Sequence, residues 1–290
     1  MPIDVLCVGH AAYDISLFVD HFPQENSKCE TDTLLEDCGG PAANAAYLLS
    51  KWNVACAFAG LVGDDLYGQR IANAFRSVGT DISMLQLRPG HVTPLSMIVV
   101  NERNGSRTIV NRTRQDATLQ VGFRDWDGAF PRVLLFDGHA LGASLSALEA
   151  FPDAVSILDA GSWREGTATL AGKVDYVAAS ERFALQVTGL LDLCTGEHRR
   201  HAASELRQRF ATTVIITLGE NGLIADDGGG FMHLPAFPAE SVDSTAAGDI
   251  FHGALGFGVR ESMPLRECLR FASSAAALSV QVRGGRASIP

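Results

Sequence analysis

The stretch Asp243–Leu255, DSTAAGDIFHGAL, decides how this chain is interpreted. Three of the smallest side chains, Ala246, Ala247 and Gly248, stand directly before Asp249, and an apolar helical pattern follows. The first turn of a helix exposes backbone N–H groups without partners inside the helix, and the helix dipole makes that end positive. Small side chains let an anion approach those N–H groups, so the stretch predicts an anion-binding helix start.

The carboxylate of Asp249 gives this helix start a second property. It can accept the proton of a hydroxyl that attacks an electrophile held by the N–H groups, and phosphoryl transfer needs that combination. The alternative is structural: Asp243 or Ser244 caps the helix, and Asp249 only complements the dipole. On this stretch alone, the two interpretations are equally supported.

Composition excludes several classes of protein. The chain has 290 residues and is 47% hydrophobic, which is enough for a large core. Its 23 basic and 33 acidic residues give a net charge of −10, which argues against nucleic acid or an anionic membrane as a partner. The six cysteines show no CxxC spacing and are typical of thiols in a reducing compartment. With no signal peptide or membrane-spanning stretch in the sequence, we expect a cytoplasmic protein.

Short apolar runs alternate with Ala-rich helical patterns, which predicts an α/β fold. The runs are continuous rather than alternating, as in a parallel sheet covered by helices on both faces. The predicted strands are IDVLCVG (3–9), VACAFAGLVG (54–63), RVLLFDG (132–138), AVSILDAG (154–161), VDYVAAS (174–180) and TTVIITLG (212–219). The predicted helices include PAANAAYLLSKWN (41–53) and LYGQRIANAFRSVG (66–79).

Two stretches, 27–40 and 93–113, interrupt this pattern with polar and apolar alternation. The second contains Asn104-Gly105, a strong hairpin-turn signal. Both predict small antiparallel strands that form a flap beside the main sheet. We therefore divide the chain into a β-strand lid and an α/β domain that binds nucleotide and substrate. The lid comprises 13–37 and 93–114, and the α/β domain comprises 1–12, 38–92 and 115–290.

Polar groups near the predicted strand ends suggest where a ligand binds. Gly39 and Gly40 allow a ligand close to the backbone, and Asn44, one turn into a helix, offers a donor and an acceptor to a pair of hydroxyls. Asp14 follows the first strand at the edge of the sheet where α/β folds bind ligands.

Five motifs, in order along the chain, resemble those of the ribokinase-like, PfkB-type carbohydrate kinases. They are GGPAAN (39–44), GLVGDDLYG (60–68), TLGENG (217–222), DSTAAGD (243–249) and GGRASIP (284–290), and the resemblance covers nearly the full length. It implies a three-layer αβα fold with a mostly parallel central sheet and a small β lid. It also implies ATP and Mg²⁺ as cofactors and a homodimer formed through the lid.

The resemblance also implies roles for individual residues. Asp249 would be the general base on a sugar hydroxyl, and the N–H groups of Ala246, Ala247 and Gly248 would bind the phosphates. The other implied residues are Asp14, Gly39, Gly40 and Asn44 for the sugar, Thr217, Gly219, Gly222, Ser180 and Gly285 for the nucleotide, and Asp243 and Thr245, with the 282–288 loop, for a monovalent cation such as K⁺.

The sequence departs from the family pattern at two places. Ala246 stands where the family has Gly; we expect this residue in helical space, where the change is nearly neutral, because a left-handed conformation would cost about 1 kcal/mol. The family's N-x-x-E motif, tied to magnesium, is absent, since Ser180 and Phe183 replace Asn and Glu. Glu181 is the nearby carboxylate and becomes the candidate magnesium ligand.

The segments 180–189, 249–255 and 283–290 resemble most the branch that includes 6-deoxy-6-sulfofructose kinase. An anionic sugar would need a cationic pocket, for which the lid offers Asn111, Arg112 and Arg114. Against this, Gly138 and His139 stand where that branch has an arginine. The sequence therefore favours a neutral sugar.

The leading function is an ATP-dependent sugar kinase that acts on a hydroxyl of a small ketose or a derivative. A nucleoside kinase would need an aromatic clamp near Asp14, for which Tyr13, Phe18 and Phe22 are candidates. A sugar sensor that lost catalysis with the N-x-x-E motif would have no need of Asp249.

Three further residues have weaker signals. His252 lies one turn from Asp249, and we expect it to face a neighbouring loop rather than to orient the base. Asp159 and Arg164 are minor candidates for contact with the site.

Overall fold

A nine-stranded sheet forms the centre of the computed structural model, which describes residues 3–113, 117–123, 126 and 130–290. All neighbouring strands are parallel except that β12 runs antiparallel to both of its neighbours. In spatial order the strands are β13 (Phe231–Leu234), β12 (Leu223–Asp226), β11 (Thr213–Thr217), β10 (Tyr176–Ser180), β9 (Val155–Ala160), β8 (Val133–Phe136), β1 (Val5–Val8), β4 (Cys56–Gly63) and β5 (Leu85–Arg88). The predicted α/β fold and its six predicted strands are confirmed.

Helices cover both faces of this sheet. In β1, Val5 and Cys7 point into one hydrophobic cluster, and Leu6 and Val8 point into the other. The first cluster includes α1 (Pro41–Lys51), α2 (Leu66–Ser77), α7 (Ala247–Arg260) and α8 (Leu265–Ser279). The second includes α3 (Leu141–Ala150), α4 (Glu165–Ala171), α5 (Glu181–Thr188) and α6 (Gly196–Phe210). None of these helices is long and apolar enough to cross a bilayer.

A second sheet of four strands lies beside the first. Its spatial order is β3 (Leu34–Gly39), β2 (Ala12–Val19), β6 (Leu95–Asn101) and β7 (Arg107–Arg112). The predicted hairpin between β6 and β7 is present, and β3 occupies the end of the other predicted stretch. The expectation of purely antiparallel strands was wrong, because β2 pairs with β6 in parallel. β2 itself was not predicted, since its sequence AYDISLFV follows β1 without a turn signal.

Glycines in α7 let this helix pack closely against its neighbours. A Cβ at Gly253 would lie 3.1 Å from the Cα of Ala45 in α1. A Cβ at Gly258 would lie 2.3 Å from the Sγ of Cys268 in α8. Close packing on both sides fixes where α7 begins relative to the start of α1.

The Gly258→Ala variant tests this packing. The added methyl overlaps Cys268, so we expect the free energy of unfolding to fall by about 1–3 kcal/mol in urea titrations. Gly142→Ala in α3 is the matched control, because a Cβ there has open space, and it should stabilise by about 0.4–1 kcal/mol. Equal effects of the two changes would contradict the tight α7–α8 contact.

Candidate functional site

The start of α7 has an unusual backbone. Ala246 is the residue before the first turn and has φ 60° and ψ 5°, a left-handed conformation. The expectation that Ala246 lies in helical space was therefore wrong; the turn from the preceding loop into the helix requires a positive φ. No side chain caps this end. Asp243 instead accepts a hydrogen bond from the N–H of Thr245 at 2.9 Å, so its predicted alternative role as a cap is also excluded.

Asp249 is held by a residue of another helix. Its Oδ2 accepts a hydrogen bond of 2.7 Å from Nδ2 of Asn44 in α1. The pKa of Asp249 is raised to about 7: burial is the largest cause and the negative charge of Asp159 adds to it, whereas the hydrogen bond from Asn44 and the charge of His252 oppose the rise. A carboxyl group with this pKa exchanges its proton near neutral pH, as a general base must.

His252 lies one turn along α7 and has different partners. Its Nδ1 is 3.0 Å from Oδ2 of Asp159 in β9, and its Nε2 is 3.1 Å from the carbonyl oxygen of Ala178 in β10. The expectation that it faces a loop was wrong, because α7 lies over these strands. Burial opposes the charged form of His252, but the charge and hydrogen bond of Asp159 outweigh it and raise the pKa to about 9.

A row of polar residues crosses the four-stranded sheet. Asp14 of β2 is in register with Asp37 of β3 and Ser96 of β6, and Ser96 is in register with Asn111 of β7. Residues in register share a face, so these side chains lie side by side. Burial raises the pKa of Asp14 to about 6; the hydrogen bond from Ser96 opposes the rise, and the charge of Asp37 adds to it.

The glycine pair before α1 has close neighbours within the protein. A Cβ at Gly39 would lie 2.0 Å from Oδ2 of Asp14. Gly40 has φ 103°, and a Cβ there would lie 2.4 Å from the carbonyl oxygen of His10. The sequence attributed both glycines to the approach of a ligand; in the structure they leave room for the Asp14 carboxylate and the backbone of His10.

Arg112, predicted for an anionic sugar, does not lie on the face of this row. Arg112 follows Asn111 in β7 and therefore points to the opposite face, where its Nη2 donates to the carbonyl oxygen of Thr93 at 3.1 Å. Arg114 lies outside the described residues.

At the ends of β1 and β8, two histidines meet an arginine. The rings of His10 and His139 stack with centroids 4.6 Å apart, and Arg164 contacts Nε2 of His139. Burial and the positive charges of His139 and Arg164 lower the pKa of His10 to about 4, although the charge of Asp137 opposes this. Arg164 was only a minor candidate for contact with the site in the sequence analysis. The structure places it at the edge of the sheet, beside Gly138 and His139.

A cavity of about 650 Å³ opens at the start of α7. Its lining includes Thr217, Gly219 and Gly222 after β11, Ser244, Ala247 and Gly248 at the helix start, and Asn104, Gly105 and Ser106 at the tip of the β6–β7 hairpin. The structure thus places three of the five predicted nucleotide residues on one cavity with the helix start.

The other two predicted nucleotide residues do not line this cavity. Ser180 is the N-cap of α5, where its Oγ accepts from the N–H of Phe183 and donates to the carbonyl oxygen of Gly161. Gly285 packs beside Ala246, since a Cβ at Gly285 would lie 3.6 Å from the Cβ of that residue.

Asp243 and Thr245 form an oxygen-rich corner behind the helix start. Asp243 is buried, and its Oδ2 accepts from the N–H of Gly284 at 2.9 Å. Among the residues that the structure describes, Oγ1 of Thr245 is buried and has no hydrogen-bond partner. An unpartnered buried oxygen beside a carboxylate fits a cation with oxygen ligands.

Glu181 lies on a different surface, with Arg182, Leu185 and Gln186. The described residues contain no group of three or more His, Cys, Asp or Glu side chains that is arranged to hold a metal. Glu181 is not among the residues that line the cavity at the helix start.

One cation at the cavity was not predicted. Nη1 of Arg107 donates to Oγ of Ser244 at 2.5 Å, which links the four-stranded sheet to the start of α7. Among the described residues that line the cavity, the charged side chain is Glu220, so Arg107 supplies positive charge at its edge. Only its place just after Asn104-Gly105 hinted at this contact, because the sequence does not show what the hairpin touches.

The sequence model of the pfkB family carbohydrate kinases matches residues 2–290. The chain belongs to this family. Ribokinase of Haemophilus influenzae is 25% identical over 257 residues, which are 87% of this chain and 84% of that protein. The protein is therefore a phosphotransferase of the sugar-kinase class.

Solved structures agree with the fold of this pfkB family kinase. Arabidopsis thaliana ribokinase, complexed with ribose and ATP, is 24% identical with a TM-score of 0.83, covering 100% of this chain and 96% of that chain. An E. coli protein in complex with ATP and Mg²⁺ is 18% identical with a TM-score of 0.81, covering 99% and 96%. These likenesses confirm the ribokinase-like fold.

Replacing Ala246 with Gly tests the left-handed start of α7. Because glycine adopts a positive φ without a steric penalty, Ala246→Gly should raise the free energy of unfolding by about 0.5–1 kcal/mol. Ala247→Gly, one residue into the helix, should lower it by about 0.5–1 kcal/mol, since glycine is unfavourable there. Chemical denaturation of both variants measures the difference, and equal signs would argue against the conformation of Ala246.

Proposed function

We propose that this kinase transfers the γ-phosphate of ATP to a hydroxyl of a small sugar, a ketose or its derivative, with Asp249 as the general base. One observation carries the proposal: consecutive residues at the start of α7 face two different places. Ala247 and Gly248 line the cavity, while the next residue, Asp249, is bonded to Asn44 on the side of Asp14. Donor and acceptor can therefore meet at one helix start.

On the acceptor side, the proposed sugar ligands are Asp14, Asn44 and Asn111, with the backbone at Gly39 and Gly40. Asp14 and Asn111 share one face of the small sheet. Its β6–β7 hairpin reaches the cavity at Asn104–Ser106. We infer that this sheet acts as a lid that excludes water, which would otherwise compete for the γ-phosphate.

On the donor side, the nucleotide occupies the cavity along Thr217, Gly219 and Gly222. The N–H groups of Ala247 and Gly248 then face its phosphates, with the backbone of Ala246 beside them. The positive helix end and these N–H groups stabilise the charge that develops on the transferred group.

Two metal ions enter the proposal differently. Mg²⁺ would accompany the nucleotide and neutralise its phosphates; Glu181 does not fit as its ligand, because it lies away from the cavity. A monovalent cation such as K⁺ fits the corner of Asp243 and Thr245 and would support the backbone of the helix start.

In the chemical step, Asp249 accepts the proton of the sugar hydroxyl as the hydroxyl oxygen attacks the γ-phosphorus. The bond from that phosphorus to the oxygen that bridges it to the β-phosphate breaks, and ADP leaves. The bond from Asn44 keeps one carboxylate oxygen fixed, which directs the other toward the acceptor. A pKa of about 7 lets the carboxylate take the proton in the transition state and release it afterwards.

The alternatives have less support in the geometry. A nucleoside clamp needs free aromatic faces near Asp14. Of the three candidates, Tyr13 and Phe18 are buried, and the ring of Tyr13 packs on Tyr67, whereas Phe22 is exposed. A sensor would not need a carboxylate of raised pKa at the helix start.

A homodimer through the lid is also part of the proposal. One face of the small sheet exposes apolar side chains, namely Leu34, Met97 and Val110. A second copy that packs on them would remove this surface from water.

Asp249→Asn tests the base. Assayed by ADP release over pentoses, ketohexoses, their phosphate esters and nucleosides, the wild type should phosphorylate at least one sugar. Asp249→Asn should lose at least ~10²-fold in kcat because it cannot take the proton, yet bind the sugar normally in calorimetry. The wild-type rate should fall as the pH drops through about 7, since the base is then protonated. Turnover of nucleosides alone, or a variant with near-normal kcat, would refute the assignment.

Arg107→Gln tests the contact between lid and cavity. If Arg107 leaves Ser244 for the nucleotide phosphates, its loss should raise KM for ATP about 10-fold or more while KM for the sugar stays similar. Arg103→Gln is the matched control on the same hairpin, because Arg103 pairs with Asp20 at 2.6 Å instead. The same KM for ATP in both variants would exclude the role.

A further inference from the structure

Arg286, in the loop after α8, is a cation buried beneath the acceptor side. It is 4% exposed, and its guanidinium lies 4.7 Å from the ring centroid of Tyr47 in α1 and 4.8 Å from that of Phe75 in α2. A buried charge is costly unless partners compensate it. The position of this arginine therefore calls for a reason beyond packing.

The hydrogen bonds of Arg286 lead to the base. Its Nε donates to Oδ1 of Asn44 at 3.1 Å, and Nδ2 of Asn44 donates to Asp249 at 2.7 Å. Its backbone N–H donates to Oδ2 of Asp37 at 2.8 Å, which fixes the loop against β3. Three side chains thus form a continuous path from the loop to the general base.

The chemistry of these groups leaves one arrangement. A guanidinium only donates hydrogen bonds, and an ionised carboxylate only accepts them. The carboxamide of Asn44, which does both, must therefore turn its oxygen to Arg286 and its nitrogen to Asp249. Without a donor at its oxygen, the amide is free to turn over, and its oxygen would then face the carboxylate and repel it.

Among the described residues, the guanidinium of Arg286 makes one hydrogen bond, from its Nε to Oδ1 of Asn44. Its Nη1 and Nη2 are buried and have no hydrogen-bond partner within the described part of the chain. Buried nitrogens without a hydrogen-bond partner destabilise the folded state. Proteins tolerate this loss of stability mainly at functional sites. The hydrogen bond to Asn44 is therefore the contact that explains why this guanidinium is buried here.

We propose that Arg286 is a positioning residue that orients the Asn44 carboxamide and thereby holds Asp249 for proton abstraction. This role rests on the proposed function of Asp249. It assigns the C-terminal loop a part in catalysis, because the loop reaches the base through Asn44.

Charged and titratable groups surround both ends of this path. Asp14 of β2, Asp159 of β9 and His252 of α7 act on Asp249. Asp37 and Cys38 of β3, Tyr47 of α1 and Asp14 act on Arg286, whose pKa burial lowers. Removing the guanidinium therefore changes the charge near Asp14 as well as the orientation of Asn44, and the test must separate the two effects.

A double-mutant cycle in kcat separates them. The variants are Arg286→Met, Asn44→Ala and the double mutant, with Arg286→Lys as the variant that keeps the charge. If Arg286 acts through Asn44, Arg286→Met lowers kcat about 10- to 100-fold, yet changes it less than about 2-fold in the Asn44→Ala background. Arg286→Lys should also lower kcat, because an ammonium at this place lacks the Nε–H geometry.

Arg260→Met is the matched control. Arg260 is a partly buried arginine paired with Asp4 at 2.5 Å, and its loss should affect stability without the kinetic coupling. If Arg286→Met does not fold, the same cycle is run with Arg286→Lys. Additive effects in the cycle, or a kcat of Arg286→Lys equal to wild type, would overturn the proposal.

A titration of the unliganded protein keeps this test independent of the proposed activity. With ¹³C-labelled aspartate, NMR reports the pKa of Asp249, which the hydrogen bond from Asn44 lowers. Arg286→Lys should raise that pKa in the wild-type background and leave it unchanged in Asn44→Ala. If no sugar is phosphorylated in the kinetic assay, only the proposed function is refuted. If Arg286→Lys leaves the pKa of Asp249 unchanged in the wild-type background, the role of Arg286 is refuted.

Discussion

The close approach of α7 to α1 is the contact on which the site depends. Gly253 leaves 3.1 Å between the place of a Cβ and the Cα of Ala45, so the two helices nearly touch along their backbones. Their first turns then lie side by side, and Asn44 reaches Asp249 at 2.7 Å. A side chain at Gly253 would push the helices apart by a few tenths of an ångström. The hydrogen bond that holds the base would lengthen with them.

Electrostatic balance around the base follows from this packing. The charges of Asp159 and Asp14 raise the pKa of the Asp249 carboxyl. Two buried basic side chains, those of His252 and Arg286, lie nearby. His252 pairs with Asp159, which partly compensates the carboxylate that faces Asp249. The result is a carboxyl group at the start of α7 whose pKa, about 7, lies close to physiological pH.

The two sheets meet at the same helix start from different directions. The nine-stranded sheet carries α7 and the cavity, and the four-stranded sheet carries Asp14 and the hairpin with Arg107. The bond from Arg107 to Ser244 joins them at the mouth of the cavity. A movement of the small sheet would therefore shift Asp14 and the contact between Arg107 and Ser244 together. Under the proposed function, this would couple water exclusion to phosphate binding.

The sequence by itself determined the α/β class, six of the nine central strands and the helix start at Ala247–Asp249. These properties depend on local patterns: continuous apolar runs, small residues before a helix, and motifs in family order. Asn44 was also found this way, because its place in the first helix is local. The positive φ of Ala246, the strand around Asp14 and the face on which Arg112 points were decided by turns and register. These features cannot be predicted from the residues that are adjacent in the sequence. Three contacts join residues that are 93 to 242 positions apart in the chain: Arg107 with Ser244, Arg286 with Asn44, and His252 with Asp159. Only the packed tertiary structure brings such groups together.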